Sequence, residues 1–169
     1  MPRDAGDFPI DLGQLPLSHL AHFVGVFANR RVLEEMTRRG FGDLRESHGY
    51  LVQHLLRGPH SVGELAQLLG ISQQAVSKTV AELTRAGYLE SEPGTDARVK
   101  LVRLSARGHA SVKAARRIRE KLERRLCETL GEKRVSLVRA ALAELLEELG
   151  AADRVRARRV PNSDASSED

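Results

Sequence analysis

Along much of the chain apolar residues recur three and four positions apart, the spacing of a helix with one buried face. Between Leu17 and Arg39, Leu17, Leu20, Ala21, Val24, Phe27 and Ala28 fall on one stripe. Phe23, Val26 and Leu33 widen that stripe beyond what one buried side of a small domain requires, and Gly40 and Gly42 break the helix. A second helix is expected from Asp43, acting as N-cap, to Leu56, with Gly58-Pro59 stopping it. A long charged helix from Ser105 to Leu130 carries Val112, Ala115, Ile118, Leu122 and Leu126 on one face. After Gly131 the last helix, Glu132 to Leu149, is strongly apolar through Val135, Val138, Leu142, Leu145, Leu146 and Leu149. The two ends lack such periodicity. Residues 1–15 contain Pro2, Gly6, Pro9 and Gly13 and read as a flexible, extended arm. Beyond Gly150 the chain is basic and then acidic with little to bury, so residues 150–169 are expected as a disordered tail.

The central segment, SVGELAQLLGISQQAVSKTVAELTRAGYLE, spans residues 61–90. Ser61 with Glu64 three residues later is a capping-box pattern that marks a helix start, and loss of such a cap costs about 1 kcal/mol. Leu65, Leu68 and Leu69 are expected to supply the buried face of this helix. Gly70 stands where the chain must turn, since glycine accepts the positive φ of a tight helix exit. Ser72 caps the next helix, whose buried stripe is Val76, Val80 and Leu83, and Gly87 ends it. Two short helices joined by a turn of three or four residues with glycine form a helix-turn-helix. Ala66 is small where the helices cross, and β-branched Val76 locks the second helix against the first. The alternative is an αα-hairpin with no DNA role.

With that stripe buried, the N-terminal half of the second helix presents Gln73, Gln74, Ser77 and Lys78, with Thr79 more lateral. Gln can bond bidentately to adenine edges, while Ser and Lys reach bases or phosphates. Helix N-termini, here at Ser61 and Ser72, favour phosphate through free N–H groups and the helix dipole. No acidic residue lies between Ser72 and Ala81. A merely solvated polar face is the competing reading, so the case rests on position within the motif. Next, Tyr88–Ser91 and Val99–Leu104 are strand-like runs joined through Pro93-Gly94, a hairpin with a longer loop, or wing. Arg98 near its tip is placed to enter a minor groove, with Asp96 aiming it, and Lys100 and Arg103 to hold phosphates.

Composition narrows the class without naming it. The 169 residues are 41% apolar and only 4% aromatic, with a net charge of +4. The pI near 9.6 permits a polyanionic partner if the basic residues cluster. A single cysteine, Cys127, excludes an internal disulfide and fits a reducing compartment; it reads as a small core residue rather than a redox switch. No apolar signal segment and no run of about 18 apolar residues occurs, so a soluble, intracellular protein without a membrane partner is expected. G-x-S-x-G, P-loop, H-E-x-x-H and glycine-rich dinucleotide motifs are all missing, which argues against an enzyme. No cofactor or metal is implied. His19 and His22 have helical spacing suited to two ligands but lack a matching Cys or acidic pair.

Residues 17–149 resemble the MarR family of bacterial regulators. The resemblance is carried by L-A-x-x-L-G-I-S-x-x-x-V-S-K (Leu65 to Lys78), AGYLE (Ala86 to Glu90), the D-x-R of the wing, and V-R-L-S-x-x-G (Val102 to Gly108). It implies a mainly α fold with a small β-wing: a winged helix-turn-helix flanked by N- and C-terminal dimerisation helices. On that plan, residues 1–15 are the arm and 16–40 the N-terminal dimerisation helix. Residues 43–104 are the DNA-binding domain, 105–149 the C-terminal dimerisation helices and 150–169 the tail. The implied function is a cytoplasmic, nucleoid-associated transcriptional regulator, a repressor by preference. It would act as a homodimer whose paired recognition helices read a pseudo-palindrome of double-stranded DNA. Ser77 and Lys78 match the family's Ser/Thr–Arg/Lys pair, and Arg98 its wing arginine. The wing tip PGTDA is less basic than in many relatives, and Ser105 replaces the commoner Thr.

Dimerisation also follows from the residues alone, since the first and last two helices carry more apolar surface than residues 43–104 can cover. The family commonly takes small aromatic acids or phenolic compounds in a cleft between the DNA lobe and the dimer helices. Here His19, His22, Arg45, His48 and Tyr50 lie on the helices flanking it, and a carboxylate would suit Arg45 or a protonated histidine. Their alternative role is as surface or interfacial polar groups. Two rival functions stand beside the regulator: an architectural DNA-binding protein without sequence preference, and a winged helix used for protein–protein assembly.

Overall fold

The computed structural model describes residues 10–94 and 99–160. Among them the chain forms α1 (Leu17–Arg38), α2 (His48–Leu55), β1 (His60–Ser61), α3 (Val62–Leu69), α4 (Gln73–Arg85), β2 (Leu89–Pro93) and β3 (Lys100–Leu104). The long α5 (Ala106–Leu130), α6 (Glu132–Glu148) and a short α7 (Ala152–Arg156) follow. The fold class is the expected one, mainly helical with a small antiparallel sheet of order β1-β3-β2. In the wing, Leu89 faces Leu104, Ser91 faces Val102 and Pro93 faces Lys100. The third strand was not anticipated. His60 pairs with Val102 and Ser61 with Leu101, a two-residue contact too short to leave a periodic signal.

Apolar side chains of α2, α3, α4, β2 and β3 converge on one core that includes Leu51, Leu55, Leu65, Leu69, Val76, Leu83, Tyr88, Val102 and Leu104. A smaller cluster of Val32, Met36 and Ile118 joins α1 to α5. Phe41 and Leu44 pack against both clusters, so the α1–α2 connection joins the winged-helix core to the long helices.

Three local expectations change. The second helix begins at His48 rather than Asp43. Asp43 instead lies 3.5 Å from the Arg107 guanidinium, which also donates to the Gly40 carbonyl at 2.8 Å and to the Tyr88 hydroxyl at 3.2 Å. That guanidinium lies 4.8 Å from the centre of the Tyr88 ring, so tertiary contacts override the cap signal at Asp43. Leu68, expected in the core, is 38% exposed. On an eight-residue helix, positions 65, 66 and 69 already fill the inward face. Finally, part of the expected tail is built into the fold. Ala152 is buried, and the Val160 amide donates to the Leu69 carbonyl at 3.2 Å. Residues 1–9 of the expected arm and 161–169 of the expected tail lie outside the described residues.

Candidate nucleic-acid interface

The α3–turn–α4 unit forms as its side chains dictate. The Ser61 hydroxyl accepts from the Glu64 amide at 3.2 Å, while the Glu64 carboxylate takes the Ser61 amide at 2.7 Å, closing the capping box. Those bonds, led by the one from the Ser61 backbone, hold the Glu64 carboxyl below its ordinary range. Gly70 caps α3 at φ 70° and ψ 36°, the left-handed conformation that ordinary side chains disfavour. The Ala66 carbonyl takes both the Gly70 amide at 2.9 Å and the Ile71 amide at 3.1 Å, so the chain turns within one residue. Val76 is fully enclosed beneath the crossing and Ala66 nearly so. The opposite side of α4 is left to solvent.

On that side the candidates separate into two groups. Gln73, Gln74, Ser77 and Lys78 are exposed along the first two turns of α4, and none of their side chains has a hydrogen-bond partner among the described residues. The hydroxyls of Ser61, Ser72 and Thr79 are already in use. Ser72 accepts from the Ala75 amide at 3.2 Å, and Thr79 donates to the Ala75 carbonyl at 3.1 Å. These three therefore present helix N-termini or a methyl edge more readily than a free hydroxyl. Gln73 reaches back toward the start of α3, where a Cβ on Gly63 would lie 3.6 Å from its amide nitrogen.

In the wing, Lys100 is exposed at the distal end of β3. Arg103, expected to hold a phosphate, is engaged instead by Glu90 at 2.9 Å and Glu92 at 2.7 Å across β2. A guanidinium held by two carboxylates has little charge left to offer DNA. Arg98 and Asp96 lie outside the described residues.

Behind the α3–turn–α4 unit, α1, α2, α5 and the C-terminal segment line a half-open cavity of about 960 Å³. Val32, Met36, Val52 and Val112 contribute apolar lining, and the cavity carries six arginines, Arg45 and Arg116 among them, against Glu46 and Glu120. Of the five ligand candidates, Arg45, His48 and Tyr50 come together at this cavity. His19 and His22 do not; they lie exposed on the N-terminal half of α1. Arg45 also donates to Glu82 of α4 at 2.7 Å, and His48 Nε2 lies 3.7 Å from the same carboxylate oxygen. The Arg45 amide donates to His48 Nδ1 at 3.2 Å, which directs the proton of the neutral ring to Nε2, toward Glu82. Burial, helped by the Arg45 charge, holds the His48 pKa below its ordinary value, which favours that neutral ring. Sequence reasoning passed over Glu82. Its only signal is an acidic residue on the recognition helix, off the apolar stripe and just past the acid-free stretch.

With this geometry in place, residues 43–98 match the MarR family model. No curated protein matches the sequence. Solved structures share the fold. MepR, a transcription regulator of the Staphylococcus aureus multidrug efflux pump MepA, aligns at 19% identity over 80% of this chain and 99% of its own, with a TM-score of 0.64. A MepR variant from the same organism, bound to an oligodeoxyribonucleotide, aligns at 19% identity over 80% and 99%, with a TM-score of 0.59. Wild-type MarR of E. coli in its apo form aligns at 21% identity over 78% and 98%, with a TM-score of 0.58. The MarR resemblance therefore holds in sequence over residues 43–98 and in fold over most of the chain. Among the described residues, no helix is long and apolar enough to cross a membrane.

Proposed function

We propose that this chain, a MarR-family sequence core in a MarR-type fold, is a sequence-specific regulator of transcription that binds double-stranded DNA. In this reading it is a non-enzymatic homodimer, a repressor acting on the nucleoid in the cytoplasm, and a small phenolic or aromatic acid releases it. The observation that carries the reading is the first half of α4. Four polar side chains suited to base edges and phosphates, Gln73, Gln74, Ser77 and Lys78, stand exposed on a helix whose other face is locked in the core. DNA fits such a face better than a protein partner does, since it offers no aromatic or apolar anchor. A solved MarR-type relative bound to an oligodeoxyribonucleotide supports the same assignment. The apolar residues left exposed on α1 and α6 support the homodimer.

The test is selection of bound sequences from a random duplex pool at about 150 mM salt, because affinity for phosphate depends steeply on ionic strength. The expected product is an inverted repeat with half-sites about ten base pairs apart. Combining Ser77→Ala, Lys78→Ala and Arg98→Ala should abolish its recovery. Tight but sequence-uniform recovery would replace the regulator with an architectural DNA-binding protein. Failure to retain any duplex, even at low salt, would point to a winged helix used for protein assembly.

A further inference from the structure

We infer that residues 151–160 form a second tether between the winged-helix core and α6, and that by fixing the angle between them this tether restricts the protein to one half-site spacing. The tether stands on geometry alone; the spacing rests on the DNA-binding dimer proposed above. The core is anchored to the long helices at one corner, where the Arg107 guanidinium at the start of α5 gathers the Gly40 carbonyl, Asp43 and the Tyr88 hydroxyl. Beyond that corner the half-open cavity lies between α2 on one side and α1 and α5 on the other. A body held at one corner keeps a rotation about it, and relative motion is the ordinary outcome where two units share a small interface. The C-terminal segment crosses this gap.

Two turns of the same kind steer it across. At the end of α6 the Gly150 amide donates to the Glu147 carbonyl and the Ala151 amide to the Leu146 carbonyl, both at 2.9 Å, with Gly150 at φ 63°. That pair of bonds is a Schellman motif, which turns the chain at a left-handed residue. α7 ends in the same motif. The Arg158 amide donates to the Val155 carbonyl at 3.1 Å and the Arg159 amide to the Arg154 carbonyl at 3.0 Å. Here the left-handed position holds Arg158, at φ 56°, the only non-glycine residue with a positive φ among the described residues. An arginine is disfavoured there and persists only where its surroundings hold it. Its own groups supply that hold. The guanidinium donates to Gln53, the carbonyl accepts from His54 Nε2 at 3.4 Å, and two residues on the Val160 amide donates to the Leu69 carbonyl at 3.2 Å. Leu69 ends α3, so its carbonyl has no partner within that helix. The tether thus finishes at the turn of the helix-turn-helix, and the ion pair of Arg156 with Glu147 secures its other end to α6. Glycine at 158 would form the turn more easily but would give up the grip on α2.

In a dimer paired through α1 and α6, the angle of each core against α6 sets where its α4 falls on the duplex. One base pair more or less between half-sites moves a half-site by about 3.4 Å and turns it by about 35°. A tethered pair cannot follow, so the duplex must deform to be bound; a slack pair can. The test slackens the tether without removing it, by inserting three glycines between Gly150 and Ala151 of the full-length protein. Residues 151–160 can still dock, so stability should change little. Spin labels at Ala81→Cys on α4 and Glu128→Cys on α5, in a Cys127→Ser background and diluted with unlabelled protein, read the geometry within one chain. Their distance distribution should be narrow with the native tether and broad with the insertion. On duplexes carrying the selected inverted repeat, the wild type should lose at least about tenfold in affinity when one base pair is added or removed between half-sites, and the insertion variant less than about threefold. Deleting residues 151–169 should reproduce both changes, a second arm if the insertion folds poorly. An insertion variant with an unbroadened distribution or the wild-type spacing preference, or a wild type that binds every spacing equally, would overturn the inference. If the distribution broadens but the wild type retains no duplex, the tether stands and the DNA-binding reading fails.

Discussion

Gly108 is the third residue of α5, and a Cβ built on it would stand 2.2 Å from the Tyr88 carbonyl oxygen and 3.1 Å from a Leu104 methyl. That carbonyl is fixed, because it accepts the Ser105 amide at 3.0 Å, and the Ser105 hydroxyl in turn caps α5 at the Gly108 amide. The Ser-x-x-Gly at the wing's exit thus has a steric cause: helix and wing meet too closely for any side chain. Gly108→Ala should destabilise the protein by about 1–3 kcal/mol or more through overpacking, despite alanine's better helix propensity. Gly49→Ala, on α2 with nothing within 4 Å, should be neutral or stabilising by up to about 1 kcal/mol. Urea titration of the two variants checks the opposite signs, and an equal effect would remove the steric explanation. At this scale the sequence was most legible where partners are near in the chain. Ser61 with Glu64, and Gly70 at the turn, could be read directly. Which hydroxyls remain free for DNA could not, because Ser72 and Thr79 satisfy the backbone of their own helix. Glu82 meets Arg45 across 37 positions, a pairing that only the fold creates.

Among the elements, the C-terminal segment departs most from its sequence pattern. Its composition reads as solvated, yet residues 152–156 form a helix tied to α6 by an ion pair of Arg156 with Glu147, and Arg156 also meets Asp153 at 2.9 Å. Beyond it, Arg158 donates to Gln53, its carbonyl accepts from His54 Nε2 at 3.4 Å, and Val160 packs on the DNA-lobe core. Such burial comes from two small apolar residues eight positions apart, Ala152 and a half-buried Val160, too sparse for a periodic window to register. The long helices, by contrast, were legible nearly to their ends because their apolar repeats run through many turns. Removing residues 151–169 should therefore cost about 1–3 kcal/mol, a core-contact loss rather than the near-zero effect of trimming a free tail. The deletion should also change the response to acid. Burial lowers the pKa of His48 and of His54, so the folded state resists protonating either ring. Their contribution to stability is fully present above the unfolded value near 6.5 and is lost as pH falls through the lower folded values. Thermal melts from about pH 7 to pH 5 should show that decline, shallower in the truncated protein because His54 loses its cover. A truncated protein as stable as the full chain, with an identical pH profile, would make the C-terminal contacts incidental.

The molecule as a whole leaves a large apolar surface open. Phe23, Val24 and Phe27 on α1 are 47%, 61% and 62% exposed, and Leu137 and Val138 on α6 are 63% and 55% exposed. Scattered exposed leucines need no explanation, but a run of them on consecutive turns of two terminal helices does. A second copy is the economical cover, since a two-fold axis lets one patch bury itself and, in the proposed reading, would set two α4 helices on one duplex. Double substitution of Leu137→Asp and Val138→Asp should then convert a dimer into a monomer at micromolar concentration, as read by sedimentation or light scattering. The two positions are solvent-facing in the single chain, so its melting curve should keep its cooperativity. DNA binding supplies the decisive consequence. A monomer presents one α4 and about half the phosphate contacts, so its affinity for an inverted repeat should drop toward the non-specific range of about 10⁻⁴–10⁻⁶ M, with a correspondingly shallower salt slope. A folded monomer that still bound the inverted repeat with undiminished affinity and slope would show that one copy carries the whole recognition, and the exposed faces of α1 and α6 would then need a partner other than the chain itself.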